Sequence, residues 1–218
     1  VSMGALKDAG LSLADVDGFA LVGGDINMPA IAMADYLGLK LSYVDSTITG
    51  GSSPVYHVGH ALAAIAAGKC NVVLISLANR ARSAAPRRSQ GEAAEYPFET
   101  LYGTSTLGMY ALAAQRHMHE FGTTSAQLAE VKVAASHHAQ YNPHAMLRKE
   151  VTVQEVLDSP MLSDPLHRLD SCVVSDSGGA VVVVSPEVAR DLKRTSVKIL
   201  GQAEAPKHTD NGHLDLTY

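Results

Sequence analysis

The sequence predicts an α/β fold in which helices cover a largely parallel sheet. Three observations support this: apolar strand patterns alternate with helical patterns, the connections between them are short, and the strands are apolar without strict alternation. A sheet covered by helices on both faces has such strands, because neither face meets water. The predicted order is VDGFALVGG (16–24), a helix over 28–38, LSYVDS (41–46), a helix over 54–68 and NVVLISLA (71–78).

The pattern changes at Arg80. Residues 80–103 are rich in Arg, Ser, Pro, Gly and Glu and show no period, which predicts a long surface loop. Beyond this loop, helices are predicted at 105–121, at 124–140 with Ser125 as the cap, at 152–158 and at 186–193. Further strands are predicted at 178–185 and 197–205, and the first ten residues predict a helix that stops at Gly10.

Composition excludes several classes of function. The 218 residues carry a formal net charge of −5 without a long run of one sign, which argues against nucleic acid as the main partner. We find neither a stretch apolar enough to span a membrane nor a secretory signal. Cys70 and Cys172 lie far apart in sequence, and two cysteines do not make a secreted disulfide framework; without a secretory signal, we expect reduced thiols and a cytoplasmic location. The absence of an initiating Met leads us to expect further residues upstream.

The turn before the helix at 54–68 is the strongest local candidate for a site. Ser53 is predicted to cap that helix, with Pro54 in its first turn. The helix has an apolar stripe opposite small residues, which predicts burial all round; the stripe is Val55, Val58, Leu62 and Ile65. A glycine-rich turn at a helix start directs backbone N–H groups and the positive dipole end to one spot. That spot suits an anion or the oxyanion of a thioester, although many such turns are plain connections.

A family resemblance rests on several long segments. VDSTITGGSSPVYHVGHALAAIAAGKCNVVLI (44–75) resembles the nucleophile loop, central helix and following strand of the thiolase superfamily. The resemblance extends through RHMHEFGTTSAQLAEVKVAASHHAQYNP (116–143), VTVQEVLDSPMLSDPLHRLDSCVVSDSGGAVVVVSPEVARDL (151–192) and VKILGQAEA (197–205). Within the superfamily the chain resembles the sterol-carrier-protein-x thiolases and the lipid-transfer-protein-like branch, some of whose members are aldolases acting on steroid side-chain CoA esters.

The resemblance implies how the chain is divided. Members of the superfamily have two similar α/β halves, and we expect one half here with its inserted region. The predicted segments are a core at 1–79, an inserted loop region with helices at 80–177, a return to the core at 178–196 and the start of the second half at 197–218. The catalytic histidine and second cysteine of the second half are absent, so the chain is predicted to be a fragment.

One departure from the superfamily concerns the nucleophile. By resemblance, the thiolase cysteine falls at Gly51, give or take one position, and no cysteine lies nearby. Cys70 follows the helix and cannot replace it. Ser52 or Ser53 could act as a substitute nucleophile, or could only form the turn, and His57 could line a pocket or lie in the core. The candidate catalytic residues are therefore Gly51, Ser52, Ser53 and His57.

Candidate coenzyme A contacts lie in the inserted region. An arginine cluster could bind the phosphates of CoA or could simply be solvated; it consists of Arg80, Arg82, Arg87 and Arg88. The resemblance places His138 near the acyl-CoA channel, and Cys172 and Asp176 beside the active site. The histidine spacings suit no metal site.

The resemblance implies an enzyme that acts on acyl-CoA at a C–C bond. Because the cysteine is missing, retro-aldol cleavage is the favoured reaction. Two alternatives remain open: a thiolase or acyltransferase that uses a serine, and a non-catalytic thiolase-like subunit that binds acyl-CoA. CoA enters as the acyl-CoA substrate, no metal is expected, and the expected partners are a second copy of the chain and a small OB-fold protein.

Overall fold

The computed structural model describes residues 1–22, 28–84 and 105–205. They form two compact units: residues 1–84 with 176–205, and residues 105–175. The division into core, inserted region, return to the core and start of a second half stays a prediction. Arg87 and Arg88 lie outside the described residues.

The first unit contains one sheet of four strands in the order β2-β1-β3-β6. Strand β1 (Gly18–Val22) pairs in parallel with β2 (Tyr43–Asp45) and with β3 (Val72–Arg80), and β6 (Asp176–Val184) pairs antiparallel with β3. The prediction that these four segments share a sheet is confirmed. Strands β3 and β6 are each nine residues long and pair from end to end, which makes them longer at the Arg80–Asp176 end than the sequence pattern indicated.

Helices cover both faces of this sheet. Helices α1 (Ser2–Ala9) and α2 (Pro29–Leu37) pack on the face that presents Phe19, Leu21 and Leu74. Helix α3 (Ser53–Ala66) packs on the other face, which presents Ala20, Val73 and Ile75. Because successive strand residues point to opposite faces, burying both faces gives the continuous apolar runs seen in the sequence.

The prediction that α3 is buried all round is wrong for the described residues. Its fully buried positions are Ser53, His57, Gly59, Ala61 and Ala64, whereas Val55 is 64% exposed. Val58, Leu62 and Ile65 only border the core beside these positions. Small side chains face the sheet because they let the helix backbone approach it closely, so hydrophobicity alone identified the wrong face.

The predicted strand at 197–205 is not formed; residues 197–205 have no regular secondary structure. An extended segment becomes a strand only where a neighbouring backbone accepts its hydrogen bonds. Here side chains hold the segment instead: Gln202 lies against Gly59, where any side chain at position 59 would overlap it. The short helix predicted at 186–193 is present as α7 (Pro186–Asp191).

The second unit is mainly helical. It contains α4 (Thr106–Phe121), α5 (Ser125–Ala139) and α6 (Val153–Leu157), followed by a small hairpin of β4 (Met161–Ser163) and β5 (Leu166–His167) that the sequence did not predict. The cap of α5 is Thr124, whose side chain accepts from Gln127 N, and Ser125 is the first helical residue. The prediction of Ser125 as the cap is therefore wrong by one position.

In the part of the chain that the structure describes, no helix is both long and apolar enough to cross a membrane. No group of three or more His, Cys, Asp and Glu side chains among residues 1–22, 28–84 and 105–205 is placed to hold a metal ion.

Candidate functional site

The turn between β2 and α3 is the candidate site, because it follows a parallel strand and precedes the helix on one face of the sheet. Gly50 has a φ of 76°, which favours glycine. Ser53 N donates to Gly50 O at 3.2 Å, and Val55 N donates to Ser52 O at 2.9 Å. Neither the Gly51 N–H nor the Ser52 N–H takes part in these bonds.

The two serine hydroxyls bind the turn itself. Ser53 Oγ, fully buried, donates to Gly50 O at 2.7 Å and accepts from Thr49 N at 2.8 Å. Ser52 Oγ donates to Thr49 O at 3.0 Å. Ser52 occupies the cap position but its side chain makes no capping bond, so the prediction that Ser53 caps α3 is wrong. Both hydroxyl protons point to carbonyl oxygens, as in a structural turn.

Gly51 lies at the open side of this turn. It is exposed, its φ is not in the left-handed region, and a Cβ added there would meet no atom within 4 Å. Position 51 therefore has room for a side chain or for a bound molecule.

Asp45 lies at the end of β2 and connects the strand to the turn. Its Oδ1 accepts from Thr47 N and Thr47 Oγ1, both at 2.8 Å. Its Oδ2 accepts from Tyr43 Oη at 3.2 Å and from His60 Nδ1 at 2.6 Å. Burial raises the pKa of this carboxyl, but the bonds from Thr47 and His60 outweigh burial and hold the pKa at about 2. Burial and the adjacent Asp45 charge raise the pKa of Tyr43.

His57 lies in the second turn of α3 and is 0% exposed. Its Nε2 lies 3.1 Å from Thr47 O and 3.9 Å from Asp45 Oδ1. Burial lowers the pKa of His57 in spite of the nearby Asp45 carboxylate. Its Nδ1 is buried and has no hydrogen-bond partner among the described residues. The alternative of His57 as a core residue, left open by the sequence, agrees with this burial.

His60 connects the same network to the segment after β6. Its Nδ1 contacts Asp45, and its Nε2 lies 3.4 Å from Glu204 Oε1. The His57 and His60 ring centroids are 6.4 Å apart. Sequence reasoning did not select Asp45, Thr47, His60 or Glu204. The available signal was the polar DST run (45–47) at the end of a parallel strand, the position where α/β folds bind ligands.

The predicted CoA contacts are divided between the units. Arg80 ends β3, and the backbone N–H groups of Arg82 and Ser83 donate to Asp176 Oδ1 at 2.9 and 3.0 Å. A hydrogen bond from the Ser83 side chain, followed by the bonds from the two backbone N–H groups, lowers the pKa of Asp176. His138 lies near the end of α5 in the second unit, is exposed, and its ring meets His137 edge-on at 5.5 Å. The described arginines thus lie beside Asp176 in the first unit, although they are distant from it in sequence, and His138 belongs to the second unit.

The two cysteines differ in environment. Cys70, 2% exposed, packs in the core below α3, where burial raises the pKa of its thiol. Cys172 is exposed and lines a cavity of about 450 Å³ in the second unit. Apolar groups dominate the wall of this cavity, which also contains two cationic residues: its lining is Lys132, Leu147, Arg168, Leu169, Ser171, Cys172 and Val173. Neither thiol is in the turn at 50–53.

Two curated proteins are similar over nearly the whole chain. A steroid side-chain-cleaving aldolase from Thermomonospora curvata is 34% identical over 228 residues, which covers 99% of this chain and 58% of that protein. An acetyl-CoA acetyltransferase from Methanothermobacter thermautotrophicus is 31% identical over 210 residues, which covers 93% of this chain and 55% of that protein. The chain thus spans little more than half the length of these relatives. No protein-family model matches the sequence.

A solved structure shows the same architecture. The Ltp2–ChsH2(DUF35) aldolase matches with a TM-score of 0.79 and 33% sequence identity, over 88% of this chain and 50% of that chain. This match confirms the layered α/β fold expected from the sequence.

Proposed function

We propose, on the premise that the chain is related to a steroid side-chain-cleaving aldolase and to SCP2-thiolase-like proteins, that the complete protein cleaves a C–C bond of an acyl-CoA by a retro-aldol reaction. One observation carries the choice of reaction. The turn where the resemblance places the thiolase nucleophile has no thiol, and the hydroxyl protons of Ser52 and Ser53 are directed to carbonyl oxygens. A serine without a base at its hydroxyl is a poor acyl acceptor.

Retro-aldol cleavage needs no acyl-enzyme. A base removes the proton from a β-hydroxyl group, the Cα–Cβ bond breaks, and its electron pair moves to the thioester as an enolate. Protonation of the enolate then releases the shortened acyl-CoA together with a carbonyl product. In this proposal the N–H groups of Gly51 and Ser52 donate to the enolate oxygen at the start of α3, where the helix dipole also favours negative charge.

The remaining assignments are part of the same proposal. Arg80, Arg82, Arg87 and Arg88 contact the phosphates of CoA, and His138 lies along the acyl-CoA channel. The segments 1–79, 80–177, 178–196 and 197–218 serve as core, inserted region, return to the core and start of a second half. The protein works in the cytoplasm as a homodimer. A small OB-fold protein is the proposed partner; the similar aldolase of known structure is the Ltp2–ChsH2(DUF35) aldolase, which pairs Ltp2 with a DUF35 protein.

A thiolase-type acyl transfer is the second candidate, because one relative is an acetyl-CoA acetyltransferase. The two reactions differ in their use of free CoA. A third candidate, a non-catalytic subunit that binds acyl-CoA, predicts binding without turnover.

Product analysis separates the three candidates. The complete protein is incubated with a β-hydroxyacyl-CoA, including a steroid-type analogue, and separately with a β-ketoacyl-CoA plus CoA, and products are followed by mass. We expect cleavage of the β-hydroxyacyl-CoA without consumption of CoA. CoA-dependent thiolysis with an acyl adduct on Ser52 or Ser53 would overturn the proposal, and binding with no turnover of either substrate would favour the non-catalytic subunit.

A further inference from the structure

We infer that Ser53 and His57 are positioning residues that hold the turn at 47–52 at two points, and that neither acts as a nucleophile or a base. This inference rests on the proposed function, since the turn it concerns is the proposed donor site for the thioester oxygen. It reassigns two of the four candidate catalytic residues.

The two side chains share one face of α3. They are four residues apart, one helical turn, and both are 0% exposed. Ser53 binds the near part of the turn through Thr49 N and Gly50 O. His57 binds its far part through Thr47 O. Residues next to these anchors reach solvent: Ile48 is 68% exposed, and Gly51 is exposed with open space around it.

The proton positions exclude a serine–histidine dyad. A carbonyl oxygen only accepts, so the 3.1 Å contact with Thr47 O requires a proton on His57 Nε2. Ser53 Oγ donates its proton to Gly50 O. The remaining ring atom, Nδ1, is buried without a hydrogen-bond partner in the described part of the chain, so Ser53 makes no bond to it.

Asp45 completes the anchor at Thr47. The carboxylate takes the N–H and the hydroxyl of Thr47, and His57 donates to its carbonyl oxygen. All three polar groups of one turn residue are thus held by a strand residue and a helix residue. The unpaired Nδ1 of His57 costs free energy that an aliphatic side chain at position 57 would not cost. The imidazole must therefore contribute through the one bond it makes, to Thr47 O, and that bond fixes the turn.

Paired variants of the complete protein test the inference. His57→Gln keeps an N–H donor near the position of Nε2 but cannot act as a base, whereas His57→Leu removes the donor. We expect His57→Leu to lower kcat on β-hydroxyacyl-CoA by about tenfold to a hundredfold with little change in KM, because a displaced donor weakens transition-state stabilisation. His57→Gln should retain most of kcat and the wild-type pH profile. Loss of activity in both variants would overturn the positioning role.

The serine is tested in the same way, with a matched control in the second unit. Ser53→Ala should lower kcat, since it releases Thr49 and Gly50. Ser136 is also buried and also bridges two backbone groups, donating to Val133 O at 2.8 Å and accepting from Val151 N at 3.1 Å. Ser136→Ala should lose thermal stability to a similar extent but keep kcat. Equal loss of kcat in both alanine variants would reduce the role of Ser53 to general stability.

A second readout does not depend on activity. Amide hydrogen exchange of a peptide covering residues 46–53 should accelerate in His57→Leu and in Ser53→Ala, and stay near wild type in His57→Gln. Unchanged exchange in both disruptive variants would overturn the inference. If exchange responds as expected and the unmodified protein turns over no acyl-CoA, the positioning role stands and the proposed reaction is wrong.

Discussion

The two ends of α3 are built differently. At its start, side chains hold the chain: Asp45, Ser53 and His57 bind backbone groups of the preceding turn. At its end, the backbone closes on itself, with Gly68 N donating to Ile65 O and Lys69 N donating to Ala64 O. Apart from glycine at the left-handed position 68, a backbone closure works with almost any side chains, whereas a turn fixed by side chains requires particular residues. The geometry at the start of α3 therefore depends on the identity of these three side chains, whereas, apart from Gly68, the geometry at its end does not depend on particular side chains.

Among the substitutions that compare the two ends of α3, replacing Asp45 should cause the largest loss in the free energy of unfolding. In Asp45→Asn the NH2 group that replaces one carboxylate oxygen cannot accept hydrogen bonds, so either the bonds from Tyr43 and His60 or those from Thr47 are lost. We expect a loss of about 2–3 kcal/mol in the free energy of unfolding, as for hydrogen bonds to a charged group. Urea unfolding measures it. Asp158→Asn, which alters one exposed bond from Gln154, is the control and should change stability by less than about 0.5 kcal/mol.

Protonation of Asp45 in acid should lower the free energy of unfolding by an amount similar to that of the Asp45→Asn substitution. The pKa of Asp45 is about 2 in the folded chain, below the ordinary value of 3.8. A lowered folded-state pKa stabilises the protein above the unfolded-state value, and this contribution is lost as the pH falls from about 4 towards 2. We expect a loss of about 2 kcal/mol over that window, measured by urea unfolding at each pH. Asp45→Asn should have a correspondingly flatter dependence; an equal slope in variant and wild type would contradict the assignment.

Three glycine replacements show that the difference between the ends lies in the side chains. Gly50 and Gly68 have φ values of 76° and 68°, so alanine at either position should lower stability by a similar amount, about 1 kcal/mol. Gly51 lacks that backbone requirement and has open space, so Gly51→Ala should change stability by less than about 0.5 kcal/mol. Thermal unfolding of the three variants makes the comparison. A large loss in Gly51→Ala would mean that the turn is more crowded than the structure indicates.

Gly51→Cys is expected to have the smallest effect on stability. It should nevertheless change the chemistry of the turn, because it introduces a thiol. The side chain fits for the same reason as alanine, and it places a thiol where the resemblance locates the thiolase nucleophile. Cysteine is partly ionised near neutral pH, unlike serine. Mass spectrometry after incubation with acyl-CoA should show an adduct on the variant at a low level and none on Gly51→Ala. An unmodified thiol would indicate that position 51 does not face the acyl group.

The order of helices and strands was predictable because the strands are continuous apolar runs, as 71–78 illustrates with residues 72–76 buried, and the helices between them have their own end signals. The buried face of α3 was not predictable from hydrophobicity. His57 and the alanines face the sheet, because small side chains let the helix approach it closely, whereas the apolar Val55 does not. Residues 197–205 have a strand-like sequence, but strand formation depends on a neighbour that local sequence does not reveal. At the site, the sequence selected the glycine–serine turn. It missed Asp45 and His60, since their importance arises from contacts between elements 15 residues apart.

The antiparallel pairing of β3 with β6 has an evolutionary consequence. Arg80 lies opposite Asp176, so the intervening stretch leaves and re-enters the sheet at points about 5 Å apart. Strands joined at that spacing can be connected by as few as two residues, as in a hairpin. The stretch between them can thus lengthen, shorten or be exchanged for another without altering the register of any strand. A chimera with a short hairpin in place of residues 82–174 would show whether the α/β unit folds independently of this stretch. If it does, different stretches inserted at this point could give the same fold different substrate specificities.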